Sequence, residues 1–537
     1  MNKLDLSRRE DRILPLLLTR QAAENGAADY LITDDRRLSF SAAEDLANRL
    51  AAGLRAHGVR RGDRVVFYLN NGWEPVILAL AVNKLGALWI PVNTDYKGAW
   101  LADTLERSRC RLLVSEAALG DRIEALETLP GELPPVLAGG AGPSSLAAGA
   151  VSLEALLQQP PLEPDYSDMH CGDNCAVLWT SGTTGRSKGV LQSHNCWIRP
   201  IADSASIYYD SQPGDVIYNV LPLYNSAAWM TAVFRALYEG IPVVIDRQFS
   251  VTTFWDRIRR FGATQTFTLG AMHGFLFSAP ERPDDADNPL RVAQMVPMAA
   301  SMREPFARRF GVELLPLGFG QSECMAILSP IRDMHRLPAN ALGRPLPDTE
   351  IALLDGNDEP VPSGEAGELC IRPLAEQVLF NGYLDDEAAT AAAWSGGWYH
   401  TGDLLKCVDG HFYFVDRVRD ALRFGGRNIS SVEVETVVRG HPDVADVAAF
   451  GIPAAHTPGE SELALHVVLR DGASPSHEDI ARYINDNAPH FFVPQYLEFV
   501  DALPYTPTQK VQKFRLRERG VTARTWCRRE SGFPVQR

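Results

Sequence analysis

Hydrophobic residues near the N-terminus follow a helical spacing. Leu46, Leu50 and Leu54 recur at every fourth position, and Gly58 follows as a stop signal. The sequence Ser-Ala-Ala-Glu at 41–44 has the form of a capping box, in which a serine and a glutamate satisfy free N–H groups at a helix start. The pattern therefore predicts a helix that begins near Ser41 and ends before Gly58.

Continuous apolar runs follow this helix. The runs at 65–69 and 87–92 predict buried strands, and the stretch at 74–85 between them predicts a helix. Strand, helix and strand in succession are typical of a parallel sheet covered by helices. The N-terminal part of the chain is therefore predicted to be an α/β domain with layered, mostly parallel sheets.

The pattern starts afresh after Asp416. Ser430 and Glu433 form a second predicted capping box, and that helix ends at Gly440. Further predicted elements are strands at 444–452, 463–469 and 496–500 and a helix at 476–487. About 120 residues suffice for an independent domain. We therefore expect a large domain over 1–416 and a small α+β domain over 417–537.

Composition excludes several classes of protein. A chain of 537 residues with 45% hydrophobic and 22% charged residues is typical of a globular protein with more than one core. The net charge of −15 argues against a nucleic-acid surface. The apolar run at 13–18 is too short to span a membrane and has no signal-peptide cleavage site. Eight scattered cysteines do not suggest a disulfide scaffold, so we expect a cytoplasmic protein.

The most informative segment is the loop Thr-Ser-Gly-Thr-Thr-Gly-Arg-Ser-Lys-Gly at 180–189, which follows the apolar run at 176–179. Glycines bring backbone N–H groups close to an anion, while hydroxyls add donors and Lys188 adds a point charge. This chemistry suits a polyphosphate. The loop is not a Walker A sequence, because Ser187 stands where its second glycine should be.

The loop resembles the phosphate loop of the adenylate-forming superfamily, which includes acyl-CoA synthetases, luciferases and peptide-synthetase adenylation domains. Five further segments resemble that family's motifs in the same order along the chain. They are L-P-L-Y-N at 221–225, G-F-G-Q-S-E at 318–323, W-Y-H-T-G-D at 398–403, D-R-V-R-D at 416–420 followed by Gly425 and Gly426, and L-P-Y-T-P-T-Q-K at 503–510.

The resemblance implies a two-step ligase. A carboxylic acid attacks the α-phosphate of ATP, with Mg²⁺ as cofactor, to give an acyl adenylate and pyrophosphate; CoA then displaces AMP. It also implies a mobile C-terminal domain and an active site between the domains. The segment at 424–430 is most similar to crotonobetaine/carnitine-type CoA ligases. Two alternatives are an adenylating enzyme with another acceptor, such as a carrier protein, and a nucleotide-binding module or P-loop ATPase. The sequence leaves the acid and a homo-oligomeric state open.

The resemblance also implies roles for single residues. The catalytic residues are Lys510, Glu323 and Thr183, with Glu323 as the Mg²⁺ ligand. ATP and AMP would be bound by Thr180, Ser181, Gly182, Thr184, Lys188, Gly318, Phe319, Gly320, Gln321, Ser322, Asp403 and Arg417. CoA would be bound by Gly425, Gly426 and Arg427, and Arg419 would be the hinge. Lys513 competes with Lys510 for the catalytic role. Glu323 as a surface carboxylate, Asp403 as a turn cap and the glycine pair as a simple turn are the alternatives.

The acyl pocket is inferred from position in the motifs. Its expected residues are Tyr224, Asn225, Trp229, Leu269, Gly270, Met272 and Ala299, although the same residues would also suit a protein core. Asn225 replaces a histidine that is common in the family. Aromatic and small apolar residues favour an uncharged acyl group of moderate size, and the shorter amide favours a bulky, branched or cyclic acid.

Overall fold

The computed structural model describes most of the 537-residue chain. The described residues are 3–126, 131–139, 149–180, 187–270, 272–298, 300–330, 337–418, 420, 422–424, 427–453, 461–505 and 511–535. They form two compact units. The first comprises Met1–Thr180, Ser187–Glu350 and Pro373–Ala392, and the second is built from Ile351–Arg372 and Ala393–Arg537.

Two seven-stranded sheets organise the first unit. Sheet A has the strand order Val151–Ser152, Val136–Ala138, Leu112–Glu116, Arg64–Tyr68, Leu88–Pro91, Asn174–Thr180 and Lys188–Ser193. Sheet B has the order Glu313–Leu314, Val292–Val296, Gln265–Leu269, Ile217–Asn219, Val243–Ile245, Asp29–Ile32 and Arg37–Ser39. Val66 pairs in parallel with Ile90 on one side and Leu113 on the other. The predicted parallel sheets are therefore confirmed.

Helices pack on these sheets. Those of the first unit are Leu14–Asn25, Phe40–Ala56, Trp73–Lys84, Ala99–Ser108, Gly120–Glu124, Leu153–Leu156, His194–Pro200, Ser206–Tyr208, Ser226–Ala228, Phe234–Glu239, Phe254–Phe261, Met272–Ser278, Ala300–Phe310 and Glu387–Ala392. Short 3₁₀ segments lie at Arg9–Asp11 and Ala117–Leu119, and π-helical turns lie at Ile201–Ala205 and Trp229–Val233. The predicted strands and helix between residues 64 and 91 are present within one residue of their expected bounds.

The capping box predicted at Ser41 is wrong. The helix begins at Phe40, and its N-cap is Ser39, whose hydroxyl accepts a hydrogen bond from the Ala42 N–H at 3.2 Å. Glu44 is used elsewhere, because both of its carboxylate oxygens accept from the buried Lys84 ammonium at 2.9 Å. Glu44 therefore forms an ion pair with Lys84, which is distant in sequence, and does not cap the helix.

The second unit contains two smaller sheets. Sheet C consists of Thr349–Leu354, Ala366–Pro373, Trp398–Val408 and Trp394–Ser395, with His411–Arg417 also paired to Trp398–Val408. Sheet D has the order Val444–Pro453, Ser461–Leu469, Tyr496–Phe499 and Trp526–Cys527. A two-stranded hairpin joins Leu422–Phe424 to Arg427–Ile429. The contacts group sheet C with the C-terminal elements, and the domain boundary at 416 stays a prediction.

The helices of the second unit are Ser431–Arg439, His477–Asn487, Lys513–Arg519 and Arg528–Ser531, with a 3₁₀ turn at His490–Phe492. Ser430 caps the first of them by accepting from the Glu433 N–H, which is the serine half of the predicted capping box. A full capping box forms between Ser476 and Asp479, where the sequence suggested only a helix start. In the described part of the chain, no helix combines the length and apolar character that crossing a membrane requires.

Candidate active site

A hairpin holds the two ends of the predicted phosphate loop. Thr180 and Lys188 are opposite each other in an antiparallel pair, and the Thr180 hydroxyl donates to the Lys188 carbonyl at 3.3 Å. The loop residues Ser181, Gly182, Thr183 and Thr184 lie outside the described residues. The hairpin therefore fixes where the loop starts and ends.

Arg107 is a second cation beside this hairpin, and sequence reasoning missed it. Its Nη1 donates to the Ser187 carbonyl at 2.8 Å, and its guanidinium lies 4.7 Å from the centre of the Trp179 ring. Arg107 belongs to the helix Ala99–Ser108, about 80 residues from the loop in sequence. No motif marks it, so only the fold reveals the contact.

Tyr383 links two predicted site residues and was also missed. Lys188 Nζ lies 4.4 Å from the centre of the Tyr383 ring, where the negative face of the ring attracts the ammonium. The Tyr383 hydroxyl donates to Glu323 Oε1 at 3.1 Å. Tyr383 is buried, with 7% of its surface exposed. One rigid ring therefore sets the positions of the predicted phosphate cation and the predicted Mg²⁺ ligand.

The segment at 318–323 makes a tight turn that only glycine allows. A Cβ atom on Gly320 would lie 1.4 Å from the Met325 carbonyl oxygen, which is impossible without moving the backbone. Phe319 between the glycines pairs with Leu328, donating its N–H to the Leu328 carbonyl at 2.9 Å. Gln321 and Ser322 follow, and the Ser322 carbonyl accepts from the Gln192 amide. The turn therefore leads directly into Glu323 from a fixed backbone.

Asp403 and Arg417 lie together in the second unit. They are paired on adjacent strands, with Arg417 Nε 3.7 Å from Asp403 Oδ1. The turn before Asp403 is held by two bonds: Thr401 Oγ1 donates to the Leu369 carbonyl at 2.7 Å, and the Gly402 N–H donates to Glu368 Oε1 at 2.8 Å. The structure thus brings together two residues predicted to bind ATP and AMP, and that role stays a prediction.

The two competing lysines differ in what the structure describes. Lys510 lies outside the described residues, whereas Lys513 Nζ is 2.8 Å from Glu435 Oε1 and donates to the Ser431 hydroxyl. Burial raises the pKa of the nearby Asp416, and the charge of Lys513 opposes this rise. Lys513 therefore neutralises carboxylates inside the second unit, which is a structural task.

The predicted hinge and CoA residues are mostly outside the described residues. This holds for Arg419, Gly425 and Gly426, so their roles stay predictions. Arg427 begins the second strand of the small hairpin and pairs with Phe424. The two strands of the hairpin thus flank the glycine pair in sequence.

The predicted acyl residues divide into two groups. Asn225 is half-buried, and its Oδ1 accepts from the Ala227 N–H at 3.0 Å as the cap of the helix Ser226–Ala228. Trp229 is fully buried, its ring lies 4.4 Å from that of Trp89 at a tilt of 37°, and it donates its indole N–H to the Leu223 carbonyl at 2.6 Å. The contacts of Trp229 are those of a core residue, which was the alternative.

The other predicted acyl residues lie at the end of a strand of sheet B or close to that end. Leu269 ends the strand Gln265–Leu269 half-buried, and a Cβ on Gly270 would meet no atom within 4 Å. Met272 and Tyr224 are also half-buried, and burial raises the pKa of the Tyr224 hydroxyl, which stays neutral. Ala299 lies outside the described residues. Apart from Trp229, the described members are partly exposed, as pocket residues should be.

Sequence profiles of known families match most of the chain. The profile of the AMP-binding enzyme family matches residues 18–384, and the profile of the AMP-binding enzyme C-terminal domain matches residues 433–510. The chain belongs to the AMP-binding enzyme family. The resemblance seen in the motifs is therefore confirmed.

Relatives within this family carry related names. A crotonobetaine/carnitine–CoA ligase from Salmonella arizonae is 31% identical over 499 residues, covering 90% of this chain and 93% of the relative. The ligase of the same name from Salmonella typhimurium is 30% identical over 497 residues, with 90% and 93% coverage. The prediction of an ATP-dependent, AMP-forming acid–CoA ligase is confirmed at the level of family and reaction class.

Solved structures agree with the fold. The chain is similar to the anthranilate CoA ligase AuaEII in complex with anthranoyl-AMP, with a TM-score of 0.83, 24% identity, and coverage of 96% of this chain and 98% of that one. A benzoate CoA ligase from Burkholderia xenovorans LB400 gives a TM-score of 0.82, 22% identity, and 94% and 99% coverage. The predicted fold class of this family member is confirmed.

Proposed function

We propose that this chain activates a carboxylic acid with ATP and Mg²⁺ and transfers the acyl group to CoA. Apart from its reacting carboxylate, the acid is uncharged and of moderate size. The observation that carries the proposal is the link through Tyr383 between Lys188 and Glu323. Through Tyr383, the Lys188 ammonium on the hairpin of the phosphate loop and the Glu323 carboxylate are held by the same side chain. A magnesium–polyphosphate complex needs both kinds of group.

Glu323 fits the Mg²⁺ requirement. Mg²⁺ at nucleotide sites takes one or two carboxylate oxygens and keeps several waters. A carboxylate has two oxygens and about four acceptor positions, so the bond from Tyr383 is compatible with a metal. When bound, the ion would offset negative charge on the phosphates during attack on the α-phosphorus.

The chain's own residues would divide the remaining work of adenylation. Lys188, with the loop donors, would hold the departing pyrophosphate, and Lys510 would stabilise charge on the reacting carboxylate and α-phosphate. Phe319 would offer a ring to the adenine, and Asp403 would accept from the ribose hydroxyls. The contact of Arg417 with Asp403 supports this, because it places a cation and an acceptor side by side, as a ribose phosphate needs.

Thioester formation would follow rotation of the C-terminal domain, residues 417–537, about Arg419. Gly425, Gly426 and Arg427 would then border the pantetheine arm. The shared family of crotonobetaine/carnitine–CoA ligases supports CoA as acceptor. A carrier protein is the alternative acceptor. The eight free thiols and the use of ATP and CoA support a cytoplasmic location.

The acyl group would lie among Tyr224, Asn225, Leu269, Gly270 and Met272. Open space beside Gly270 and the neutral Tyr224 hydroxyl support an uncharged acyl group. These side chains carry no formal charge, so a second carboxylate on the acid would lose hydration without gaining an ionic partner among them. We therefore expect monocarboxylic acids with an apolar body.

The test is pyrophosphate release with ATP and Mg²⁺ over a panel of carboxylic acids, followed by trapping with hydroxylamine. Acid-dependent pyrophosphate release is expected without CoA, and thioester should form only when CoA is added. Hydroxamate formation with no thioester in the presence of CoA would favour the carrier-protein alternative. Pyrophosphate or phosphate release that is independent of any acid would overturn the proposal.

A further inference from the structure

Three potential metal ligands meet on sheet C. Glu368 and Cys370 lie on the strand Ala366–Pro373, and His400 lies on its neighbour Trp398–Val408, directly opposite Cys370. Within the described residues, this is the one group of three His, Cys, Asp or Glu side chains whose ligand atoms all lie within 4.8 Å of one another.

An irregularity in strand pairing creates the cluster. Glu368 pairs with Leu404 and Cys370 with His400, so one intervening residue on the first strand faces three on the second, Thr401 to Asp403. Such bulges redirect side chains and occur next to functional sites. Here the bulge brings the Glu368 carboxylate to His400 and also carries Asp403, the predicted ribose ligand.

The distances between the ligand atoms are close to those of a tetrahedral metal centre. His400 Nδ1 is 3.0 Å from Glu368 Oε2 and 3.5 Å from Cys370 Sγ. Bonds of about 2.0 to 2.3 Å at a tetrahedral angle hold ligand atoms roughly 3.3 to 3.7 Å apart. The sulfur–nitrogen distance lies in this range, and the nitrogen–oxygen distance would have to lengthen by about 0.3 Å on metal binding. We propose that Glu368, Cys370 and His400 bind a thiophilic divalent cation of the Zn²⁺ class, separate from the Mg²⁺ that serves ATP.

A carboxylate behind the imidazole supports this assignment independently. Asp358 Oδ1 lies 3.7 Å from His400 Nε2, and the Ser395 hydroxyl donates to Asp358 Oδ2 at 2.6 Å. Metal-binding histidines commonly donate their second N–H to a carboxylate, which fixes the tautomer. Asp358 lies just beyond hydrogen-bond distance of Nε2, and a proton on Nε2 would turn the Nδ1 lone pair of His400 toward Glu368 and Cys370. In that tautomer two acceptor atoms, His400 Nδ1 and Glu368 Oε2, lie 3.0 Å apart beside the Cys370 sulfur, and a cation that displaces the thiol proton would satisfy all three atoms.

The binding step is balanced by one proton. The Cys370 side chain is buried, with 0% exposure, and a free thiol carries its proton at neutral pH. On binding, the S–H bond breaks, the thiolate donates its electron pair to the metal, and the proton leaves to solvent. Neutral His400 and ionised Glu368 donate lone pairs, and water takes the fourth position. The side chains of His400 and Glu368 are 19% and 20% exposed, which gives access for that water.

The site would stabilise the turn that carries Asp403. Glu368 binds the cation through Oε2 while Oε1 accepts from the Gly402 N–H, so one carboxylate joins metal and turn. A thiolate ligand selects Zn²⁺ over Mg²⁺, because Mg²⁺ prefers oxygen ligands. The cation would therefore act on structure, by holding Glu368 in place to accept from the Gly402 N–H.

The test is Co²⁺ binding to the full chain after removal of metals with a chelator. The unaltered protein should show one equivalent of thiolate-to-cobalt charge-transfer absorption, abolished by one equivalent of Zn²⁺. Cys370→Ser should lose this absorption, and Cys407→Ser, which alters a half-buried thiol on the neighbouring strand, should keep it. Asp358→Asn should weaken Zn²⁺ binding by about 10- to 100-fold.

Thermal unfolding with and without Zn²⁺ is a second test, which applies even if a variant used for Co²⁺ binding folds poorly. Zn²⁺ at 100 times its Kd should raise the melting temperature of the unaltered protein, and Glu368→Gln should abolish the rise. The absence of thiolate-to-cobalt absorption in the unaltered protein would overturn the proposal, as would its retention in Cys370→Ser. These readouts do not depend on ligase activity, so they stand apart from the proposed function.

Discussion

Two lysines, one in each unit, show opposite ways of holding a positive charge. Lys188 lies over the face of Tyr383, and among the described residues no carboxylate is within ion-pair distance of its ammonium. Lys513 is 10% exposed and lies 2.8 Å from Glu435, which is 9% exposed. The first charge is oriented by a neutral ring, and the second is neutralised by the protein itself.

The difference separates binding from structure. An ammonium held by an aromatic face keeps most of its charge for a ligand, since cation–π contacts contribute only about 0.5–1 kcal/mol at exposed sites. An ammonium in a buried ion pair has lost its water and depends on its partner. Lys188 is therefore suited to phosphate binding, and Lys513 is suited to holding the helix Lys513–Arg519 against Glu435 and Ser431.

The largest expected effect is on stability, from Lys513→Ala. Removing Lys513 leaves the buried Glu435 with Arg439, 3.5 Å from its Oε2, as a weaker ionic partner. The free energy of unfolding should therefore fall toward the lower end of the roughly 3–5 kcal/mol that breaking a buried ion pair costs. Lys188→Ala should lower it by less than about 1 kcal/mol. Chemical denaturation measures both. The double variant Lys513→Met with Glu435→Leu, which removes both charges, should recover most of the loss. Equal losses for the two alanine variants would contradict the comparison.

The next effect is on catalysis, from Lys510→Ala. If Lys510 stabilises charge only during adenylation, this variant should lose that half-reaction by roughly 100- to 1,000-fold, or about 2.7–4 kcal/mol. It should still convert pre-made acyl adenylate and CoA to thioester. Rates of the two half-reactions, measured separately, check this. A folded Lys513→Met variant that shows this pattern instead would mean that Lys513 is the catalytic lysine.

A smaller effect is expected from Tyr383→Phe, which keeps the ring beneath Lys188 and removes the hydroxyl that donates to Glu323. A hydrogen bond to a charged group contributes about 1.5–3 kcal/mol, so kcat/KM for Mg·ATP should fall by roughly 10- to 100-fold. Tyr383→Leu also removes the ring, so its kcat/KM for Mg·ATP should be lower still, by the equivalent of about 0.5–1 kcal/mol. Titrations of Mg²⁺ and ATP measure both variants. An unchanged Mg²⁺ dependence in Tyr383→Phe would show that the tyrosine does not position Glu323.

Local patterns predicted the elements of this fold because the spacing of apolar residues along a short stretch differs between helices and strands. The strand Arg64–Tyr68 and the helix Trp73–Lys84 follow from apolar runs alone. The cap at Ser39 was missed because Ser41 and Glu44 offered an equally good local pattern, and the choice was made by Lys84, which is 40 residues from Glu44. Long-range ion pairs of this kind leave no local signal.

The candidate site was predictable to the same extent. Motif order identified Lys188, Glu323 and Asp403, but Tyr383 lies 60 residues from Glu323 and belongs to none of the six segments used. Arg107 lies 80 residues from the loop it contacts. A side chain brought in by tertiary packing has no fixed spacing from its partner. Regular Glu-x-Cys spacing at 368–370 was likewise uninformative until the strand pairing added His400.

The smallest expected effect concerns acyl size and Asn225. The amide is shorter than the imidazole common in the family, so extra volume should favour a bulky, branched or cyclic acid over acetate. Each additional buried methylene should contribute about 0.8 kcal/mol, or roughly fourfold in kcat/KM. Asn225→His should shift the preference toward smaller acids, and kcat/KM across an acid series measures this.

Asn225 also caps a helix, so its replacement has a second consequence. Any replacement that lacks a capping oxygen loses the hydrogen bond from the Ala227 N–H, which costs about 1 kcal/mol of helix stability. Asn225→Ala is the matched control, because it loses the same cap and adds volume to the pocket instead of removing it. If Asn225 borders the acyl group, His and Ala should shift the size preference in opposite directions. A shift in the same direction would assign the effect to the helix, and an unaltered enzyme that prefers acetate would place Asn225 away from the acyl group.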